Sequence, residues 1–126
     1  MEPKIIYVSR KGRSLNLKLR DSLGNNPGNN RLTTEVDPND TVIWQLDTNS
    51  GLSEITGIKP SDSSKRKYRD SQDLLAAPPK NNNGYWEASV VSSSPGRGKF
   101  ENYMIGFKIP NDETEYWDDP KLQMKT

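Results

Sequence analysis

Histidine and cysteine are both absent from this chain of 126 residues. Their absence removes whole classes of chemistry. No Ser-His-Asp triad, thiolate nucleophile or Cys/His zinc site can be assembled from the side chains that remain. No disulfide can form either. Exported domains of this size often rely on disulfides, so the composition points to a cytoplasmic protein. Apolar residues are scarce, at 30%, and the mean hydropathy is -0.97. No apolar run approaches the ~20 residues needed to cross a bilayer, so no membrane partner is expected. Met1 to Val8 shows neither the apolar stretch nor the cleavage pattern of an export signal. Phosphate-cradling glycine motifs are missing as well. The stretch Gly96-Arg97-Gly98-Lys99 is too short for one and reads as a turn.

What the chain does have is aromatic residues and turn formers. Three Trp, five Tyr and two Phe supply core area that the thin aliphatic content does not. The length fits one domain, residues 1–126. Net charge is only +1, unlike the strongly basic balance of a dedicated nucleic-acid binder. The charge is unevenly spread. Lys4, Arg10, Lys11, Arg13, Lys18, Arg20 and Arg31 crowd the first 31 residues, while the last 26 carry six acids against three lysines. Internal charge balance between the two ends is the simplest expectation.

Nine Gly and nine Pro punctuate the chain into short segments of period-two alternation. Ile5 to Val8, Ser14 to Arg20, Leu32 to Val36, Thr41 to Leu46 and Leu52 to Ile58 read as strands. So do Tyr85 to Val91, Phe100 to Ile109 and Lys121 to Lys125. Asp37-Pro38-Asn39-Asp40 and Lys80 to Gly84 read as turns. Residues 59–83 form one long irregular loop, with a helical turn expected at Ser71 to Ala77 before Pro78-Pro79. Pro110 to Asp118 reads as an acidic loop. The fold expected is an all-β Greek-key β-sandwich of seven to eight short strands. Trp44, Trp86, Tyr103, Ile105 and Phe107 should line its inter-sheet core.

Three segments carry a resemblance. Glu35 to Gln45 (EVDPNDTVIWQ), Phe100 to Phe107 (FENYMIGF) and Asp119 to Met124 (DPKLQM) together resemble the cupredoxin-like family. The likeness spans about residues 32–125, with 59–83 fitting least. In copper-binding members a His follows the Trp strand, and a Cys and a second His follow the aromatic strand. Here Leu46 to Ser53 and Ile105 to Lys108 stand in those places. Two imidazoles and a thiolate make a blue-copper site, and Met104 and Met124 alone do not. The resemblance therefore implies a copper-free sandwich with no metal and no cofactor.

The function expected from these readings is a non-catalytic binding or protein-interaction module, taking a protein partner or a small ligand. Its candidate contact residues are Lys65, Arg66, Lys67, Tyr68 and Arg69 in the long loop, and Tyr116 and Trp117 in the acidic one. An alternative is a carbohydrate-binding or carboxylate-based carbohydrate-active protein. Tyr116 and Trp117 would then stack on a sugar, although a ring plugging the end of the sandwich is the plainer reading of the pair, and acids would come from Glu87, Glu101, Asp118 and Asp119. No spacing among these four marks a perturbed pKa. A further alternative is nucleic-acid or acidic-partner binding through residues 65–69, against which Asp70 and Asp73 follow directly. Asp112, Glu113, Glu115, Asp118 and Asp119 offer oxygens to calcium without the spacing of an EF-hand, and a solvated acidic loop is the plainer reading.

Overall fold

A computed structural model describes residues 3–61 and 70–126. The strands are β1 (Lys4–Arg10), β2 (Leu17–Asp21), β3 (Thr33–Val36), β4 (Thr41–Leu46) and β5 (Glu54–Pro60). They are followed by β6 (Lys80–Asn82), β7 (Tyr85–Ser89), β8 (Phe100–Lys108), β9 (Tyr116–Asp118) and β10 (Lys121–Met124). One sheet has the order β2-β1-β4-β7-β6 and the other β3-β10-β8-β5, with β9 also on β8. The chain changes sheet after β2, β3, β4, β5 and β7. Both sheets are mixed, because β1 runs parallel to β4 and β3 parallel to β10. Among the described residues no helix is long and apolar enough to cross a membrane.

The apolar parity of each strand decides its inner face. Ile6 and Val8 of β1, Val42 and Trp44 of β4, and Tyr103, Ile105 and Phe107 of β8 are buried between the layers. Trp86 is half-buried at the rim of that core, opposite Trp44, and donates Nε1–H to the Ile55 carbonyl at 3.1 Å. Ile55 and Ile58 of β5 are both buried although three residues apart. A bulge between Ile55 and Gly57 makes this compatible with a two-residue period.

Several boundaries differ from the sequence reading. Leu15 shares the parity of buried Leu17 and Leu19 in the strand expected over Ser14 to Arg20, but it is 47% exposed. Residues 11–16 form the connection between β1 and β2, closed by Lys11 N–H on the Asn16 carbonyl at 2.9 Å. Residues 71–77 are not a helical turn. They run along neighbouring strand edges into a bend at residues 76–77: Gln72 N–H meets the Phe100 carbonyl, Val91 N–H meets the Leu74 carbonyl, and Leu75 bridges Val90. Neighbouring strand edges satisfy this backbone, so it needs no internal helical bonds. The loop expected over 59–83 is shorter at both ends, since β5 reaches Pro60 and β6 begins at Lys80. β6 and β7 form a hairpin through Asn83 and Gly84, at φ 57° and 105°, the two-residue turn that Asn-Gly favours.

The acidic loop also ends early. β9 and β10 lie along one edge of β8 in a single register: Phe107 faces Tyr116, Ile105 faces Asp118, and Asn102 faces Lys121. Pro120 interrupts the run because it has no N–H to give. Its carbonyl still accepts from Tyr103 N–H at 3.3 Å.

Candidate functional site

Among the described residues four carboxylates are buried: Asp21, Asp40, Glu101 and Asp118. Three are tied by several partners. Asp21 accepts from Leu23 N–H, from both nitrogens of Asn25, and from Thr34 Oγ1 at 2.7 Å, which links β2 to β3. Asp40 accepts from Asp37 N–H at 2.8 Å and lies 3.6 Å from Lys4 Nζ. Asp118 accepts from Leu17 N–H at 2.9 Å and from Asn30 Nδ2, fastening the last strands to the first sheet. These are structural clamps, since a buried carboxylate is tolerable only when so partnered.

Glu101 is different. It is 3% exposed and accepts from Leu74 N–H at 2.7 Å. No cation pairs with it among the described residues. Burial pushes its carboxyl up to about 7, and the nearby charge of Asp73 adds to the rise; backbone hydrogen bonds from Leu74 and Leu75 oppose it. Glu101 lines a cavity of about 490 Å³ between β5, β8 and the 71–79 segment. Ile58, Leu75, Ala77 and Pro78 give it apolar walls, and Tyr103 shares the β8 face with Glu101. The Tyr103 hydroxyl accepts from Trp44 Nε1–H at 3.1 Å, and burial pushes its phenol upward. Lys59 also lines the cavity, but its ammonium sits 4.0 Å over the Trp117 ring. The arrangement is a largely apolar chamber with a buried acid in its wall.

The signal for Glu101 was present in the sequence. Residues 101, 103, 105 and 107 share one parity on β8, so a Glu at 101 must face the core side. Of the other acids considered with it, Asp118 stands opposite Ile105, four residues further along β8. At about 3.4 Å per residue that is roughly 14 Å along the strand. A glycosidase pair needs about 5–9.5 Å, so Glu101 and Asp118 do not form one. Glu87 lies in register with Ile43 and Lys80 on the other sheet.

The two loop aromatics part company. Tyr116 turns inward, 5.8 Å from the Phe107 ring, and donates its hydroxyl to Asp112 Oδ2 at 2.7 Å. That bond holds the Asp112 carboxyl below its ordinary range. Trp117 lies on the outer face of the second sheet against Gly106 and Gly57. With Lys59 on one ring face, Trp117 is a poor platform for a sugar. Gly106 is needed there: a Cβ would lie 2.5 Å from Thr56 Oγ1 and 2.7 Å from the Trp117 ring. Gly106→Ala should lower stability by about 1–3 kcal/mol, read from the urea midpoint, as overpacking does. The loss should shrink when Thr56→Ala and Trp117→Ala are added.

Lys65, Arg66, Lys67, Tyr68 and Arg69 lie outside the described residues. The acids of 112–119 turn to separate partners: Glu113 to Lys108 at 3.6 Å, Asp112 to Tyr116 and Asp118 to Leu17. Among the described residues no three His, Cys, Asp or Glu side chains converge on a metal position. Arg20 binds Asp47 through two hydrogen bonds, 2.8 and 2.9 Å, and Lys4 meets Asp40, so these two N-terminal bases pair with the middle of the chain.

The segments 46–53 and 105–108, at which the resemblance drawn from the sequence would place copper ligands, meet through one backbone hydrogen bond. Ser53 N–H bonds the Lys108 carbonyl at 2.9 Å. The chain has no imidazole or thiolate to offer there, and buried Leu52 and Phe107 occupy those segments instead. The residues do not fit a blue-copper ion. No family model matches the chain, and no curated protein matches it either.

Proposed function

We propose that this chain is a non-catalytic binding module on a copper-free, cupredoxin-like sandwich, and that the cavity beside Glu101 is its ligand seat. The observation that carries this reading is the coincidence of an apolar chamber of about 490 Å³ with one deeply buried carboxylate in its lining. Ligand seats pair broad apolar contact with a few polar groups that fix orientation. The cupredoxin-like part is supported by the Trp-bearing β4, the aromatic β8 and the closing β10, which carry the resembling segments. The absence of histidine and cysteine favours binding over covalent chemistry.

Benzyl alcohol is a suitable neutral probe. In an amide-correlation NMR titration it should shift Leu75, Ala76, Ala77 and Glu101, which line the cavity, and leave the β2 amides in place. Ala77→Trp should fill the chamber and abolish those shifts. Shifts scattered over the surface, or none, would overturn the reading.

A further inference from the structure

We infer that the ligand of this cavity carries a protonated amine on an apolar body, with the ammonium pairing to the Glu101 carboxylate; this rests on the binding function proposed above. The argument is one of charge complementarity inside a defined volume. Two carboxylates, Glu101 and Asp73, line the chamber. The one basic side chain among its described lining residues, Lys59, has its ammonium on the Trp117 ring. Glu101 thus accepts from the backbone N–H groups of Leu74 and Leu75 and, among the described residues, meets no cation. A buried carboxylate without a counter-charge is costly, and a cation brought in by a ligand removes that cost. The other three buried acids among the described residues each have at least one side-chain donor, from Asn, Thr or Lys, whereas Glu101 has backbone amides alone.

The remaining lining sets the rest of the ligand. Ile58, Leu75, Ala77 and Pro78 offer no charge, so the body attached to the amine is hydrocarbon or aromatic. A ligand with a hydrogen-bond acceptor could instead take a proton from neutral Glu101. Asp73 disfavours that choice, because a second carboxylate at the same chamber attracts positive charge and repels a lone pair. The two modes differ in pH dependence. Amine binding needs the ionised carboxylate and strengthens as pH rises through about 7, whereas acceptor binding weakens over the same interval.

The test compares benzylamine with benzyl alcohol, nearly equal in shape and different in charge, by amide-shift titration at about pH 5 and about pH 8.5. At the higher pH benzylamine should bind at least about tenfold tighter than the alcohol, and at the lower pH that advantage should largely vanish. Glu101→Gln should remove the advantage at both pH values while benzyl alcohol still binds. Equal affinities at high pH, or a benzylamine advantage that does not change between the two pH values, would overturn the amine inference and leave the cavity as a ligand seat. If neither probe shifts the cavity amides, the binding function and the inference fall together.

Discussion

Trp44→Ala is expected to destabilise the protein by about 3–5 kcal/mol, seen as a large drop in the urea midpoint. Trp44 is fully buried at the centre of β4, in the first sheet. Its ring meets Tyr103 of the second sheet edge-on, at 5.5 Å and 68°. Its Nε1–H donates to the Tyr103 hydroxyl at 3.1 Å. Truncation therefore opens a large cavity between the layers and strips a buried hydroxyl of its donor, and both effects have the same sign. Trp44→Phe separates them. It keeps most of the ring volume and should cost about 1–3 kcal/mol, mainly through the lost donor. Trp86→Ala should cost less than Trp44→Ala, because Trp86 is only half-buried. An unchanged midpoint for Trp44→Ala would mean that the two layers do not close over this ring pair.

Glu101 governs the largest expected effect of pH. Its carboxyl titrates near 4.5 when unfolded and is pushed up to about 7 in the fold, chiefly by burial. Between these values the folded state keeps a proton that the unfolded chain has released. Stability must then fall as pH rises from about 4.5 to about 7, and this group adds no further slope above. The total loss is on the order of 3 kcal/mol, at about 1.4 kcal/mol per unit. Glu101→Gln retains an acceptor for Leu74 N–H and carries no charge. The variant should be more stable than the parent at about pH 8, and its midpoint should lose most of the slope between pH 4.5 and 7. Parallel pH profiles for parent and variant would show that Glu101 is not held neutral by the fold.

Much of the architecture was legible because most strands announce themselves by alternation. Thr41 to Leu46 was placed with its observed bounds, and Phe100 to Ile109 to within one residue. What escaped were the pieces whose structure is imposed from outside. β6 (Lys-Asn-Asn) and β9 (Tyr-Trp-Asp) have three residues each and no apolar alternation. They are strands because β7 and β8 offer them open edges. The 71–77 segment likewise has the composition of a turn, and only the neighbouring Phe100, Ser89 and Val91 backbones hold it along the strand edges. Trp117 was grouped with Tyr116 by adjacency, yet adjacency on a strand sends two side chains to opposite faces. The cavity itself was not legible. Its walls come from β5, β8 and residues 73–79, which a single sequence does not bring together.

The clamp from Asp118 to Leu17 N–H spans 101 positions of sequence, and β10 is the strand that pairs with β3. A chain still emerging from the ribosome would have made its first sheet while Leu17 N–H and the open side of β3 waited for partners. Completion waits for β9 and β10, residues 116–124. Such late, non-local closure is slow, on the order of milliseconds to seconds. The nascent protein depends over that interval on the charged outer faces of its early strands, Lys18 and Arg20 among them, to keep it from pairing with its neighbours.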